Sequence, residues 1–158
     1  MPIIEITDPK ATLDGGDILF TGIFIIIYIS LFGYFIIIIF VFLGREIFVG
    51  VSQRTNISGA LAVASAFPEY YVTPINIPRK VMHLKSCVSM AGSDILCVGS
   101  SPEAQEVLRV IFNEFILKIV LTHCLQRIAS EASFPYTTIT VHDNESANVL
   151  YINGTLGK

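Results

Sequence analysis

The hydrophobic pattern of the chain is dominated by one uncharged apolar run, residues 23–43, which reads IFIIIYISLFGYFIIIIFVFL. As a helix this run would extend about 32 Å, which is enough to cross the hydrocarbon core of a bilayer. We therefore predict a transmembrane-like helix over 23–43. Acidic residues predominate before the run, whereas Arg45 and Arg54 follow it. If the helix inserts, the positive-inside rule places the C-terminal part in the cytoplasm.

The two segments that flank this run match each other as the halves of a hairpin. Residues 11–22 read ATLDGGDILFTG, and residues 44–50 read GREIFVG. Each half contains a short apolar strand bounded by glycine, so together they predict a hairpin that the run interrupts. A second hypothesis is therefore that 23–43 is translated non-coding sequence, such as a retained intron, because its residues are ones that A/T-rich codons specify.

Downstream of residue 50 the pattern is typical of an α/β domain. It predicts a short helix capped by Asn56 or Ser58 and a second helix that starts at Ser101 and Pro102. Pro74 favours an edge position for one of the strands. The predicted strands are 70–77, 81–90, 95–98, 136–141 and 149–152. The pattern of the second helix becomes less regular from residue 115, and we interpret about 114–126 as a second insertion.

Composition and charge exclude some functional classes. The chain has 158 residues, 53% of them hydrophobic, and a net charge of −3. Its ten Lys and Arg residues are scattered, so we expect no binding of nucleic acid. Three N-x-S/T triplets begin at Asn56, Asn144 and Asn153. Because we recognise no signal peptide, we interpret these triplets as chance occurrences in an intracellular protein with reduced thiols.

The candidates for chemistry are few. They are Asp14, Asp17, Arg54, His83 and the thiols of Cys87, Cys97 and Cys124. Acids, a His and a thiol are the components of Cys-His-acid nucleophilic catalysis. On a strand over 81–90, however, His83 and Cys87 would lie about 13 Å apart, too far for a catalytic pair. Cys97 lies in an apolar strand that we expect to be buried and inert.

Cys124 belongs to the proposed second insertion, so we expect no nucleophile in this chain. The His and Cys spacings also lack the four ligands of a structural zinc site. We therefore expect neither a metal nor another cofactor. An Asp in a Gly-Gly turn is more often a turn-former than a catalyst, and a single His on a strand is usually structural. The residues alone leave the roles of Asp14, Asp17 and His83 open.

Six blocks, taken in order, resemble the dimethylarginine dimethylaminohydrolases (dimethylargininases) of the pentein superfamily. They are TLDGGDILFTG, GREIFVG, SQRTN, HLKSCVSMAG, VGSSPEAQ and TVHDNESANVLYING. The resemblance covers most of 11–22, 44–113 and 127–153, and it stops at the two apolar segments. It implies a partial five-bladed α/β propeller of about two ββαβ-type units. Residues 1–22 would begin the first unit, 23–43 would be an inserted helix, and 44–158 would complete the units.

The resemblance also implies an activity. Members of the family hydrolyse Nω-methylated arginines to citrulline and a methylamine. A C-terminal Cys attacks the guanidinium carbon, while a His transfers protons and an acid holds that His. Carried over by motif, His83 is the general acid/base, Asp14 orients it, and Arg54 binds the carboxylate of the substrate. Lys85 in the HLK block favours the dimethylargininases over the arginine deiminases.

We find no counterpart in 1–158 of the family's N-terminal guanidinium-binding acids or of its nucleophilic Cys. We therefore expect this fragment to be inactive alone, although it resembles a cytoplasmic enzyme with a small-molecule substrate. An alternative is a membrane-tethered, non-catalytic fragment that acts as an interaction protein and is anchored by 23–43. A third reading is a translation product without function.

Overall fold

The computed structural model describes residues 5–32, 35–92, 95–123, 136–152 and 155–157. A 3₁₀ helix at Gly15–Asp17 comes first, and a second one lies at Leu84–Ser86. The strands are β1 (Ile18–Phe32), β2 (Phe35–Val51), β3 (Tyr71–Asn76), β4 (Val88–Met90), β5 (Ile95–Gly99), β6 (Thr137–Val141), β7 (Leu150–Ile152) and β8 (Thr155–Gly157). The α-helices are α1 (Ile57–Ala66), α2 (Pro102–His123) and α3 (Asn144–Ala147). The predicted mixed α/β class is confirmed.

The prediction of a helix over 23–43 is wrong. The structure places 23–32 in β1 and 35–43 in β2, which pair antiparallel as far as Phe32 and Phe35. The run consists mainly of Ile, Phe, Val and Tyr, which favour strands, and an apolar run by itself does not distinguish a strand from a buried helix. Within the described ranges, no helix is both long and apolar enough to span a membrane.

The pairing of the two flanking segments is confirmed. Leu19 pairs with Phe48, and the register continues through a bulge at Thr21 to the pair of Gly22 and Glu46. The Thr21 hydroxyl donates to the Glu46 carbonyl at 3.2 Å, which fastens the bulge. Beyond this pair the apolar run continues the same hairpin. The run therefore lengthens both strands and does not separate the two halves of the motif.

Two three-stranded sheets share one connectivity. In the first, β1 and β2 are antiparallel, and β3 follows α1 and lies parallel to β2. In the second, β4 and β5 are antiparallel, and β6 follows α2 and lies parallel to β5. Each is thus a ββαβ unit. Pro74 lies in β3 at the edge of the first sheet, as predicted, where its missing N–H costs no ladder hydrogen bond.

Both helix starts are capped as the sequence predicts. The Asn56 side chain accepts from the Gly59 N–H at 2.9 Å, and the Ser101 hydroxyl accepts from the Ala104 N–H at 3.1 Å. Asn56 also accepts from the Thr12 N–H and donates to the Lys10 carbonyl. The cap of α1 therefore also ties down the segment that enters the acidic turn.

The prediction of a strand over 81–90 is correct only for its last three residues. Residues 84–86 form a 3₁₀ helix, and His83 precedes it in an extended conformation. The sequence over 81–90 shows an alternation of apolar and polar residues, which is typical of a strand. In the structure, however, the Leu84 N–H donates to the Asp17 side chain and not to a neighbouring strand. As for the proposed second insertion, α2 continues without a break to His123, and residues 124–126 lie outside the described residues.

The core explains why the acidic turn and the His83 segment lie together. β2 is buried on both faces: Ile47 and Val49 pack toward α1, while Phe48 faces a cluster that includes Leu84. Phe48 and Leu84 are both fully buried. Burial of such side chains contributes about 1.5–3 kcal/mol each. Leu84 is thus anchored in the core next to the position where His83 emerges.

Candidate active site

The acidic turn fixes one carboxylate. Asp14 caps the first 3₁₀ helix, and its Oδ1 accepts a hydrogen bond from the Gly16 N–H at 2.9 Å. Its own N–H donates to the Thr55 hydroxyl at 2.9 Å. Both bonds hold Asp14 in an extended conformation at the point where the chain enters β1. The second carboxylate oxygen, Oδ2, is left to face the site.

The structure brings the three predicted site residues together. Oδ2 of Asp14 lies 3.2 Å from Nε2 of His83 and 3.5 Å from Nη1 of Arg54. The His83 side chain is 21% exposed and that of Arg54 is 57% exposed. Among the described residues, the buried His83 Nε2 has no partner in hydrogen-bond geometry. The same oxygen of Asp14 therefore contacts both the imidazole and the guanidinium.

These surroundings lower the pKa of Asp14. The largest cause is the hydrogen bond from the Gly16 N–H, which stabilises the ionised form. Partial desolvation opposes this effect, and the neighbouring His83 and Arg54 lower the pKa further. Asp14 is consequently an anion at neutral pH. An ionised carboxylate at this distance can orient the ring.

His83 is held by backbone packing on one side. A Cβ added at Gly16 would lie 2.8 Å from both Cγ and Cδ2 of the His83 ring, closer than real contacts allow. The imidazole therefore lies directly on the Gly16 backbone. The second glycine of the turn is needed for this approach, whereas a Cβ at Gly15 would meet nothing within 4 Å.

A fully buried acid, Asp17, lies behind these groups. Its Oδ2 accepts from the hydroxyls of Ser52 at 2.7 Å and Thr55 at 2.6 Å, and its Oδ1 accepts from the Leu84 N–H at 2.9 Å. Sequence reasoning named Asp17 as a candidate but assigned it no role. The sequence feature that indicates a role is its position directly before an apolar strand. A carboxylate that is buried there needs hydrogen-bond donors.

The two thiols that the structure describes, those of Cys87 and Cys97, are buried. Cys87 is fully buried, and desolvation, together with the charge of Glu103, raises its pKa to about 11. Burial also raises the pKa of Cys97, whose predicted burial is confirmed. Cys87 is therefore a poor nucleophile because it is buried, and it does not share a strand with His83. Cys124 lies outside the described residues.

Comparisons with known proteins agree with the sequence motifs. The human protein named "Putative hydrolase DDAH2" is 32% identical over 152 residues, and its bovine counterpart is 31% identical over 150 residues. Each alignment covers 95% of this chain. The chain belongs to the dimethylarginine dimethylaminohydrolase family. It spans 39% of the length of these curated relatives. No protein-family model matches the chain.

Part of the fold of solved dimethylarginine dimethylaminohydrolases is similar to that of this chain. A Pseudomonas aeruginosa dimethylarginine dimethylaminohydrolase mutant complexed with citrulline superposes with a TM-score of 0.50 at 18% identity, over 94% of this chain and 41% of the other. A dimethylarginine dimethylaminohydrolase adduct with S-methyl-L-thiocitrulline gives a TM-score of 0.51 at 16% identity, with the same coverage. At these identities the likeness concerns the fold. The family predicted from the motifs is confirmed.

Proposed function

We propose that this chain supplies the acid–base part of a site that hydrolyses Nω-methylated arginine to citrulline and a methylamine. The observation that carries the proposal is the contact of 3.2 Å between Asp14 Oδ2 and His83 Nε2, with Arg54 at 3.5 Å from the same oxygen. A His next to an ionised carboxylate is the general acid/base arrangement of covalent hydrolases. The substrate class comes from the family, whose solved members hold citrulline and a thiocitrulline.

His83 transfers protons in both halves of the reaction. A thiolate adds to the guanidinium carbon, and the C–N bond to the methylamine breaks as His83 protonates the leaving nitrogen. His83 then takes a proton from water as the oxygen adds to the same carbon, and the C–S bond breaks to release citrulline and the thiolate. One imidazole nitrogen faces Asp14, which leaves the other for these transfers. The Asp14 anion stabilises the imidazolium state.

Arg54 is suited to bind the carboxylate of the amino-acid substrate. Its guanidinium presents donors in a planar fork that matches a carboxylate. More than half of the side chain is exposed, and its Nη1 lies 3.5 Å from Asp14 Oδ2. The remaining donors can therefore bind a substrate while Asp14 keeps the guanidinium in place.

The nucleophilic thiol of this site would come from outside the described residues. Cys87 and Cys97 are buried, with raised pKa values. The two ββαβ units would be part of a five-bladed propeller that the remaining length of the family's chains completes. We accordingly expect residues 1–158 alone to release no citrulline from asymmetric dimethylarginine.

A chimera tests this function. Residues 1–158, without 23–43, are joined to the flanking segments of the Pseudomonas aeruginosa relative, and citrulline release from asymmetric dimethylarginine is measured. We expect turnover that His83→Ala reduces by at least about a hundredfold, since general acid–base catalysis contributes about 10²–10⁴-fold. His142→Ala is the matched control, because that His is exposed. Turnover that survives His83→Ala would refute the role of His83.

A further inference from the structure

We infer that Asp17 is a positioning residue, which sets the contact between Asp14 and His83 through hydrogen bonds from the acidic turn to two other segments of the chain, at 52–55 and at Leu84. The effect of Asp17 on catalysis rests on the proposed function. Its effect on the positions of Asp14 and His83 can be tested without measuring turnover. Asp17 touches neither the imidazole nor the Asp14 carboxylate in any hydrogen bond or ion pair that the described residues show. It therefore acts through its neighbours.

The first segment that Asp17 holds is the one that carries His83. The Leu84 N–H donates to Asp17 Oδ1 at 2.9 Å across 67 positions of sequence. Leu84 is fully buried, and the bond fixes the peptide that directly follows His83. The Ser86 N–H then donates to the His83 carbonyl at 3.1 Å. The position of the His83 backbone thus depends on a carboxylate of the acidic turn.

The second segment, 52–55, carries Arg54, and Thr55 joins it to the acidic turn. The Thr55 hydroxyl donates to Asp17 Oδ2 at 2.6 Å and accepts from the Asp14 N–H at 2.9 Å. Ser52 donates to the same Oδ2 at 2.7 Å, and its oxygen accepts from the N–H groups of Arg54 and Thr55. Asp17 therefore locates the backbone of Asp14, Arg54 and His83 relative to one buried group.

A carboxylate matches this set of donors. Two hydroxyls and one amide N–H point at Asp17, and an ionised carboxylate accepts at both oxygens. In Asp17→Asn, one oxygen becomes an NH₂ group, which cannot accept from the Leu84 N–H. If the NH₂ group faces the hydroxyls instead, the Ser52 oxygen cannot bind it, because that oxygen already accepts from the N–H groups of Arg54 and Thr55. Because the site is fully buried, water does not replace the lost bond. Either the Leu84 segment or the hydroxyl pair must move.

Nuclear magnetic resonance on residues 1–158 tests the inference. In Asp17→Asn we expect loss of the nuclear Overhauser effect between His83 Hδ2 and the Gly16 Hα protons, which are in contact in the wild type. Exchange of the Leu84 amide should become at least about tenfold faster, as expected for a lost hydrogen bond to a charged acceptor. The titration midpoint of the Asp14 carboxyl should rise, because His83 no longer lies beside it.

Asp8→Asn is the matched control, since Asp8 is exposed and accepts only from the local Lys10 N–H among the side-chain bonds described for it. It should change none of the three signals. A merely structural role predicts a lower melting temperature for Asp17→Asn with the His83–Gly16 effect and the Asp14 midpoint unchanged, and that result would overturn the inference. Inactivity of the chimera described above, with these signals as expected, would count against the proposed function alone.

A second pair of variants applies if Asp17→Asn does not fold. Thr55→Val removes the hydroxyl that joins Asp14 and Asp17, whereas Thr55→Ser retains it. We expect the Asp14 midpoint to rise in Thr55→Val and to stay at its wild-type value in Thr55→Ser. Equal midpoints in the two variants would show that the link between the acids does not position Asp14, and would also overturn the inference.

Discussion

The imidazole of His83 lies on the backbone of Gly16, at a distance that leaves no room for a Cβ atom. An added Cβ would be 2.8 Å from two ring atoms. This contact joins a residue of the acidic turn to one that follows 67 positions later, and it turns the ring edge toward Asp14. The geometry of the proposed site thus depends on a glycine that carries no chemistry of its own.

The first prediction concerns this contact. Gly16→Ala should displace His83 and destabilise the fold by about 1–3 kcal/mol, as overpacking usually does. In the active chimera it should also lower turnover. Gly15→Ala is the control, because a Cβ there meets nothing within 4 Å. Urea unfolding and citrulline release measure the two effects. Similar losses in both variants would contradict the steric explanation.

A second prediction concerns the pKa of Asp14. His83→Gln should raise this pKa only part of the way toward its ordinary value of 3.8, because the Gly16 N–H is the largest cause of the lowering. Titration of the ¹³C-labelled carboxyl measures it. Arg79→Lys, at an exposed position, should leave it unchanged. A midpoint at or above the ordinary value in His83→Gln would show that Gly16 is not the main cause.

The same shift predicts how stability depends on pH. A carboxyl whose pKa is lower in the folded state stabilises that state above its unfolded pKa and loses this contribution as pH falls through the folded value. The free energy of unfolding of the wild type should therefore fall more steeply from about pH 4 downward than that of Asp14→Asn. Equal slopes in urea titrations across this range would count against the Asp14 contacts.

Burial of Cys87 makes the free energy of unfolding depend on pH in the alkaline range, where stability falls as pH rises. The pKa of this thiol is raised from 9.0 to about 11 in the folded state, so unfolding releases a proton in this range and stability falls as pH rises from about 9 to about 11. At neutral pH the thiol is protonated and buried. Iodoacetamide should consequently modify Cys87 slowly in the folded chain and rapidly in urea, as peptide mass spectrometry would show. Rapid modification without denaturant would contradict its burial.

The last prediction concerns the apolar run. Gly22 pairs with Glu46, so a chain without 23–43 has only Gly44 and Arg45 between these paired residues. This is a two-residue hairpin loop with glycine first, as a type II′ turn requires. We expect the deletion variant to fold and to keep the His83–Gly16 contact.

Its control is Gly44→Val in the deletion background. A side chain at the first loop position must adopt a positive φ, which should cost at least about 1–2 kcal/mol in urea unfolding. If the deletion variant is unfolded, or if Gly44→Val has no effect on it, the proposed turn does not form.

The sequence determined much of this protein by local rules. Hydrophobic alternation and glycine located both halves of the hairpin, side-chain caps located the starts of α1 and α2, and ordered motifs located the family together with Asp14, Arg54 and His83. These features depend on residues close in the chain, or on a pattern that a family shares. They can therefore be read before any fold is known.

Tertiary structure decided the rest, because the remaining features depend on partners distant in sequence. The run at 23–43 is apolar enough for either a helix or a strand, and pairing between its two parts makes it a hairpin. Residues 84–86 leave the predicted strand because Asp17 binds the Leu84 N–H. Only the folded chain shows that the buried carboxylate of Asp17 binds both the 52–55 loop and Leu84, since no local pattern records which donors a distant acid will accept.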